Sequence, residues 1–362
     1  MSELYIGLMS GTSTDGVDGI LADLANQDIH VLADASMPLP DSLRQELLAL
    51  NSAGDNELAR AALAANGLVD CYATITEQLL RTSGVAAGSV RAIGAHGQTV
   101  RHAPQAGYTV QINAPARLAE RTGIAVVADF RSRDVAAGGQ GAPLVPAFHA
   151  ARFGQATGRV ILNLGGIANL TILEAPVRGF DTGPANMLMD AWAQRHLGQP
   201  YDDKGAWAAQ GRCDTELLRH LSAEPWLALP PPKSTGRDLF SIDWLDARLH
   251  AWPVSVSPTD VQATLLQLSV TTITEAIAAH AGAVREVVAC GGGALNPVLM
   301  QALAQILPCR LTTTADYGVP VLTVEALAFA WLAHAHLHGQ AACWPAVTGA
   351  RHPSIAGCLY PA

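Results

Sequence analysis

The stretch IGLMSGTSTDGVDGILAD, residues 6–23, decides how the fold begins. Its apolar start predicts a strand, and the alternation from Val17 to Ala22 predicts a second strand that returns beside the first. The turn between them, residues 10–19, combines glycines with hydroxyl and carboxylate side chains. Such a turn can cradle phosphate oxygens with backbone amides and hydroxyls, and an aspartate in it can hold Mg²⁺. The same residue types also build ordinary polar hairpin turns, so composition leaves both interpretations open.

Length and composition describe a large globular chain. The 362 residues suit two domains, and an apolar fraction of 49% is enough to give each a core. A net charge of -9 without a basic run argues against nucleic acid as a partner. No apolar run reaches bilayer length and no signal-peptide pattern is found, so we expect a cytoplasmic protein without a membrane partner. The six cysteines contain no CxxC pair, which predicts reduced structural thiols.

Helical and strand patterns alternate along the chain and predict a mixed α/β architecture. A strand, a glycine turn and a second strand recur over residues 159–173, in the order seen at the N-terminus, which indicates an internal duplication. Glycine, proline and charged residues concentrate around residues 131–146, where we expect the chain to cross into a second lobe. The expected lobes are residues 1–128, which residues 340–362 can join, and residues 129–339.

Two strand-to-helix junctions carry candidate chemistry. In FDTGPAN, residues 180–186, Asp181 can be a general base or can simply cap the next helix, whose start can aim free amides at an anion. In CGGGALN, residues 290–296, three glycines let the backbone approach a flat ligand, or they merely turn the chain. The chain has neither GxGxxG nor GxxxxGK[ST], so neither a Rossmann nor a P-loop site is supported.

Polar residues in other segments are weaker candidates. His96 and Gln98 can hydrogen-bond a polyol, and the guanidinium of Arg131 suits a substrate carboxylate, although surface ion pairs explain such loops equally well. Glu325 begins an apolar helix, where a carboxylate either meets the helix dipole or faces a site. The segment PPKSTGRDLF, residues 231–240, can bind an anion or can be a capped helix start.

Three histidines, His334, His336 and His338, invite a metal interpretation. Alternate positions on a helix point apart, so only His334 and His338 share a face. Cationic side chains are also favourable near a helix C-terminus. We therefore expect no metal site at these histidines, and the one metal ion expected is the Mg²⁺ that the N-terminal turn can hold.

The chain resembles the anhydro-N-acetylmuramic acid kinase family in eight motifs that occur in order over nearly its whole length: SGTSTDGVD, AHGQT, ADFRSRD, NLGGIAN, FDTGPAN, PPKSTGRD, CGGGALN and VEALAFAWLA. This resemblance implies an α/β member of the acetate kinase, Hsp70 and actin superfamily, with two RNase H-like (actin-like ATPase) lobes and a nucleotide and substrate cleft between them. It further implies ATP and Mg²⁺ as cofactors and a part in peptidoglycan recycling. We also expect a homodimer.

In that family the enzyme opens the 1,6-anhydro ring of its sugar with water and phosphorylates the freed O6. By resemblance, Asp181 is the base that deprotonates the water and Glu325 assists, while His96, Gln98 and Arg131 are expected to contact the sugar. The residues expected to bind the nucleotide and its metal ion are Gly11, Thr12, Ser13, Thr14, Asp15, Gly16, Val17, Asp18, Gly165, Gly166, Gly183, Gly291, Gly292, Gly293 and Asn296.

Two competing functions stay open at this point. Another carbohydrate or carboxylate kinase of the same fold is one, because fold and nucleotide turns do not fix the acceptor. A module that uses ATP to switch lobe closure, without chemistry on a sugar, is the other. The substitution Asp181→Asn separates the second from a kinase, since it should abolish sugar phosphorylation and spare ATP binding.

Overall fold

The computed structural model describes residues 2–11, 14, 16–25, 29–154, 157–236 and 239–362. The strands are β1 (Leu4–Ser10), β2 (Gly16–Asp23), β3 (His30–Pro38), β4 (Val90–Ala95), β5 (Gln98–Ala103), β6 (Tyr108–Ile112), β7 (Val126–Ala128), β8 (Arg159–Leu164), β9 (Ile167–Ile172), β10 (Arg178–Pro184), β11 (Glu286–Cys290), β12 (Arg310–Thr313) and β13 (Cys358–Tyr360). The helices are α1 (Asp41–Ala49), α2 (Glu57–Ser83), α3 (Pro115–Thr122), α4 (Ser132–Ala136), α5 (Val145–Phe153), α6 (Asn186–Leu197), α7 (Thr215–Ser222), α8 (Ile242–His250), α9 (Pro258–His280), α10 (Pro297–Ile306), α11 (Val324–Leu337) and α12 (Pro345–Thr348).

Two sheets repeat one topology. In the first, the strand order is β3-β2-β1-β4-β7, with β13 added at the outer edge beside β7. Neighbours among β3, β2 and β1 are antiparallel, whereas β1, β4 and β7 are parallel. The second sheet has the order β10-β9-β8-β11-β12 with the same pattern of directions. This is the strand order of an RNase H-like sheet, so the predicted α/β class and the internal duplication are confirmed.

The chain folds as two compact units. Unit 1 comprises the described residues of Met1–Gly154 and Thr323–Ala362, and unit 2 those of Gln155–Leu322. The sequence placed these boundaries differently, after residues 128 and 339. The difference arises because α5 and α11 belong to unit 1, where Phe148 and Trp331 pack with ring centroids 6.3 Å apart. The change of composition near residues 131–146 therefore marks a loop inside unit 1.

Helices cover both faces of the first sheet. β1 is buried along its whole length because it lies between β2 and β4 and beneath these helices. A Cβ on Gly19 of β2 would meet Ile75 of α2 at 2.2 Å, so this face of the sheet packs closely on α2. The opposite face packs on α11, whose side chains are buried almost all round. Such a helix forms only with sheet and helix neighbours around it, which the apolar sequence of α11 anticipates.

Unit 2 has its own core, in which the long helix α9 packs on α6, α7 and the edge strand β10. The N-terminus of α9 is capped by Ser257, whose side chain accepts a hydrogen bond from the amide of Asp260 at 3.1 Å. The six cysteines, all of them among the described residues, form no disulfide bond, as the sequence predicted. Among the described residues, no helix combines the length and the apolar character needed to cross a bilayer.

Candidate functional site

In unit 1, two glycines determine how closely α11 approaches the sheet. A Cβ on Gly7 of β1 would meet the carbonyl oxygen of Ala326 at 1.8 Å, and a Cβ on Gly94 of β4 would meet that of Phe329 at 2.0 Å. Only glycine leaves room for the helix backbone at these two points. The helix therefore rests directly on β1 and β4, and its first turn is fixed by the sheet.

Glu325 lies in that first turn, beside the carboxyl end of β1. The direction of α11 follows from its other end, where Nε2 of His334 lies 3.3 Å from Oε2 of Glu3, just before β1. Burial raises the pKa of Glu325, the positive charge of Arg131 opposes this rise, and the negative charge of Asp18 adds to it. Burial also raises the pKa of Asp18. Carboxyl groups with raised pKa values that influence one another are typical of sites that bind a cation or move a proton.

The turn after β1 is only partly described, because Thr12, Ser13 and Asp15 lie outside the described residues. The amide of Thr14 donates a hydrogen bond of 3.0 Å to the carbonyl oxygen of Gly11. Thr14 has a φ of 55°, in the left-handed region that residues other than glycine seldom adopt. Gly11 and Thr14 are thus close in space, which agrees with the turn that the glycine-rich pattern predicted.

Strand β2 carries three residues that were predicted to bind the nucleotide, and their surroundings differ. Val17 is fully buried in the core of unit 1, so only its backbone is left for the contact to a nucleotide that the sequence predicted. Gly16 serves the hairpin, since a Cβ there would meet the carbonyl oxygen of Met37 at 2.7 Å. Asp18 is partly exposed, and Oγ of Ser36 donates to its Oδ1 at 2.6 Å. No described residue donates to Oδ2 of Asp18, so this oxygen is available to a ligand.

A network of buried hydrogen bonds holds the start of the turn after β1. Ser10 Oγ donates to Gln98 Oε1 at 2.5 Å, and Gln98 Nε2 donates to the carbonyl oxygen of Gly11 at 3.1 Å. His96 Nε2 accepts from Arg131 Nη2 at 3.0 Å, so its proton is on Nδ1, which lies 3.3 Å from the carbonyl oxygen of Ser10. Burial, and next the charge of Arg131, lowers the pKa of His96 to about 3 and keeps the ring neutral. His96 and Gln98 thus position the turn with these groups, whereas the sequence had predicted that both contact the sugar.

The loop that carries Arg131 is tied down by a buried carboxylate. Asp134 Oδ2 accepts from the amide of Gly141 at 2.7 Å, and its Oδ1 accepts from Oγ1 of Thr348 at 2.7 Å. Arg131 Nη1 in turn donates to the carbonyl oxygen of Gly141 at 2.7 Å. The guanidinium is therefore held in one place, and Arg131 as a whole residue is partly exposed. The contact of Arg131 with a substrate oxygen stays a prediction.

In unit 2, Asp181 lies in β10 at an irregularity in the pairing with β9. Its Oδ2 accepts two hydrogen bonds, from Ser234 Oγ at 3.0 Å and from the amide of Thr235 at 2.9 Å. No described residue donates to Oδ1. Burial raises the pKa of Asp181 to about 6, although the two hydrogen bonds and the charge of Lys233 act in the opposite direction. One oxygen is thus fixed, and the other is free to accept a proton.

The sequence left the role of the segment around Lys233 open, either as an anion site or as the capped start of a helix. The amide of Asp181 donates to the carbonyl oxygen of Lys233 at 3.0 Å, so the segment lies along β10. Lys233 Nζ lies 4.5 Å from the ring centre of Trp226 and donates to the carbonyl oxygen of Leu227 at 2.7 Å. The segment therefore positions Asp181. Only its match to a family motif could have singled it out, because its partner is about fifty residues away in sequence.

The three glycines after β11 have different surroundings. A Cβ on Gly291, which has a φ of 82°, would meet Oδ1 of Asn163 at 2.5 Å, and one on Gly293 would meet Cβ of Leu164 at 2.7 Å. These two glycines are required for packing against the end of β8. A Cβ on Gly292 would meet nothing closer than 3.9 Å. Gly292 is therefore the position at which a ligand can approach the backbone.

Three amides at the start of α6, where the sequence suggested amides free for an anion, are hydrogen-bonded within unit 2. The amides of Ala185 and Met187 donate to the carbonyl oxygen of Gly166 at 2.9 and 3.1 Å, and that of Asn186 donates to Gly165 at 3.1 Å. These donors are used to join β10 and α6 to the turn between β8 and β9. These three amides are therefore not available to an anion, and the carbonyl groups of Gly165 and Gly166 serve the fold.

Two further residues expected to bind the nucleotide have structural partners. A Cβ on Gly183 would meet Oγ1 of Thr272 at 3.1 Å, so this glycine lets β10 pack on α9. Asn296 caps α10, because its Oδ1 accepts from the amides of Val298 and Leu299 at 3.1 Å each. Capping and packing account for these two residues without a nucleotide.

Comparisons with known proteins agree with the motifs. A family model described as anhydro-N-acetylmuramic acid kinase matches residues 3–362. The chain belongs to the anhydro-N-acetylmuramic acid kinase family. It is 62% identical over 363 residues to the family member from Bordetella pertussis, covering 99% of this chain and 96% of that protein. It is 55% identical over 369 residues to the one from Burkholderia orbicola, with the same coverage.

Among solved structures, a xylulose kinase from Rhodospirillum rubrum aligns with a TM-score of 0.47 at 14% identity, over 92% of this chain and 90% of that chain. Membership in the family confirms the predicted family and the predicted class of enzyme, a kinase. It favours a sugar kinase over a module that binds ATP without chemistry.

Proposed function

We propose that the chain converts 1,6-anhydro-N-acetylmuramic acid, ATP and water into N-acetylmuramic acid 6-phosphate and ADP. Water adds to C1, the bond between C1 and O6 breaks, and O6 receives the γ-phosphoryl group as ADP leaves. The product returns cell-wall sugar to metabolism, which is peptidoglycan recycling. Identity of 62% to a named member over 99% of the chain supports this reaction.

The observation that carries the proposal is the environment of Asp181. A general base works best when its pKa is near the operating pH and one oxygen can reach the proton it removes. Burial raises the pKa of Asp181 to about 6, so the carboxylate is ionised at pH 7 and more basic than an ordinary aspartate. Ser234 and Thr235 hold Oδ2, which leaves Oδ1 to take the proton of the attacking water.

Glu325 is proposed to assist the reaction from unit 1. Burial raises its pKa, so it exchanges a proton with a sugar oxygen more readily near neutral pH than an exposed glutamate does. Arg131, held by Gly141 and His96, is proposed to bind the sugar and to limit that rise in the pKa of Glu325. His96 and Gln98 act on the sugar only through the groups that they position.

The residues of unit 1 fit a hard cation such as Mg²⁺. No described residue donates a hydrogen bond to Oδ2 of Asp18. Burial raises the pKa values of Asp18 and Glu325, so their charged forms are destabilised, and a nearby cation would offset this destabilisation. When bound, Mg²⁺ neutralises charge on the transferring phosphoryl group. Asp18 would hold the ion, usually through its water shell. The backbones of Gly11 and Gly292 are the proposed contacts to the nucleotide.

The reaction is tested by incubating the purified chain with ATP, Mg²⁺ and the anhydro sugar and identifying the product by mass spectrometry and ³¹P NMR. We expect one N-acetylmuramic acid 6-phosphate per ADP. Asp181→Asn should lower kcat by about 10²–10⁴, the usual contribution of a general base, and leave ATP affinity unchanged. Asp243→Asn makes the same chemical change on the exposed surface of α8 and should have no effect. ADP release without a sugar phosphate, or an active Asp181→Asn variant, would contradict the proposal.

The cytoplasmic location and the homodimer remain part of this proposal. Light scattering coupled to size-exclusion chromatography tests the oligomeric state. A mass equal to one chain, 37.8 kDa, at micromolar concentration would contradict the homodimer.

A further inference from the structure

Three side chains of unit 1 converge on one point at the amino end of β1. Nε2 of His334 lies 3.3 Å and Nε2 of His338 lies 3.0 Å from the same oxygen, Oε2 of Glu3. The three candidate ligand atoms all lie within 4.8 Å of one another. The two histidines are one helical turn apart at the end of α11, and their rings are 4.3 Å apart. The sequence predicted that these two share a face, but it did not predict the carboxylate that meets them.

The spacing of these atoms suits a tetrahedral metal ion. Bonds of about 2.0–2.2 Å from Zn²⁺ to histidine nitrogen and carboxylate oxygen place ligand atoms about 3.3–3.5 Å apart. The two distances to the Glu3 oxygen, 3.0 and 3.3 Å, are already close to this value. Small rotations of the side chains are therefore enough to admit an ion. The side chain of His338 is 39% exposed, so the ion has access from solvent.

We propose that Glu3, His334 and His338 form a Zn²⁺ site on unit 1, with water at the fourth position. Two imidazoles and one carboxylate are a ligand set that zinc uses in proteins. The competing explanation of the same distances is that Glu3 and the two histidines only form hydrogen bonds with one another and bind no ion. Binding of Zn²⁺ by this cluster distinguishes the two.

The site is separate from the groups proposed for catalysis. Glu325 and His334 are nine residues apart on one helix, which is about 14 Å along its axis. An ion held here connects residue 3 to the last turn of α11, two segments that are distant in sequence and that both border β1. We therefore expect zinc to stabilise unit 1 and to leave the kinase reaction unchanged. The inference does not depend on the substrate of the enzyme.

The test uses the full chain without a histidine tag, stripped of metal and titrated with ZnCl₂ by calorimetry at pH 7.5. We expect one Zn²⁺ per chain with a micromolar dissociation constant. His338→Ala and Glu3→Gln should each weaken binding at least about tenfold, since metal ligands and their partners contribute about 10–100-fold. Matched controls are His336→Ala, whose Nδ1 faces the carbonyl oxygen of Ala356, and Asp34→Asn, an exposed carboxylate of β3. Both controls should bind as the parent does.

Two further readouts identify the ligands and their effect. Co²⁺ in the site should give weak visible bands without the thiolate charge-transfer band that cysteine ligands produce. Zn²⁺ at about 100 times its dissociation constant should raise the melting temperature of the parent by about 5–10 °C and that of Glu3→Gln by much less. Glu3→Gln keeps the shape of the side chain, and a parent-like circular dichroism spectrum establishes that it folds. The inference is overturned in favour of a hydrogen-bonded cluster if the parent does not bind Zn²⁺ at 100 µM. It is also overturned if His338→Ala and Glu3→Gln bind Zn²⁺ as tightly as the parent does.

Discussion

Replacing Gly7 by alanine tests how the first turn of α11 is held in place. The new Cβ would lie 1.8 Å from the carbonyl oxygen of Ala326, whereas real Cβ atoms essentially never approach another heavy atom closer than 3.0 Å, so β1 and the helix must separate by 1.2 Å. Both partners are backbone, and neither can rotate away. Overpacking of this kind typically costs about 1–3 kcal/mol. At about 2–4 °C per kcal/mol for a unit of this size, the melting temperature should fall by about 2–12 °C.

The same displacement should affect catalysis, because Glu325 precedes Ala326 in the helix. A shift of about 1 Å in a catalytic group can cost about 10² in rate, so we expect kcat/KM to fall about a hundredfold. Differential scanning fluorimetry and ADP release with the anhydro sugar measure the two effects. Gly88→Ala is the matched control, since a Cβ at Gly88 meets nothing within 4 Å and should change stability by less than about 0.5 kcal/mol. If Gly7→Ala melts and turns over like Gly88→Ala, the reasoning about close packing is wrong.

Four further predictions concern the polar groups of the two units. Because Asp181 must be ionised and its pKa is about 6, kcat/KM should fall tenfold per pH unit below about pH 6. Ser234→Ala removes a hydrogen bond that favours the charged form, so the acid limb of the pH profile should move to higher pH; a limb that stays in place argues against this contact. Glu325→Gln should lower kcat by about 10² or more while the dissociation constant of ATP, measured by calorimetry, stays the same. Gln98→Leu releases the buried contacts to the turn, so the KM for ATP should rise about tenfold in steady-state kinetics; an unchanged KM would show that the turn holds its shape alone.

Local sequence patterns anticipated most of the secondary structure. The alternation in residues 17–22 correctly placed β2 beside β1, because alternation and a glycine-rich turn act on neighbouring residues. Apolar residues at helical spacing likewise predict helices over residues 56–81 and 258–281, which agree with α2 and α9 to within a few residues at each end. The repeated strand and turn pattern correctly indicated two sheets of one topology. Each of these features depends on interactions between residues that are close in the chain.

The boundaries of the units depend on long-range packing, so the sequence misplaced them. Glycine and proline near residues 131–146 are typical of linkers, yet the buried hydrogen bond from Thr348 to Asp134 ties this loop into unit 1. Helix α11 reads as an ordinary apolar helix of the preceding segment. It belongs to unit 1 only because Gly7 and Gly94 create the space that it fills.

The sequence motifs also identified several residues of the candidate site, but they did not predict the role of each one. Asp181 and Glu325 were identified from motifs, and both have the raised pKa that catalysis uses. His96 was expected at the sugar, and only the tertiary structure turns both of its nitrogens inward.

The sequence by itself determined the family, the α/β class and the pair of catalytic candidates, because motifs and periodicity are carried by neighbouring residues. Only the tertiary structure shows which glycines are needed for close packing and which one leaves its backbone accessible to a ligand. Gly291, which packs against Asn163, and Gly292, which has no close neighbour, illustrate the two cases. It also brought Glu3 to His338, 335 residues further along the chain. Such contacts arise when distant segments pack on a shared sheet, and burial and hydrogen bonding then set the chemistry of each group.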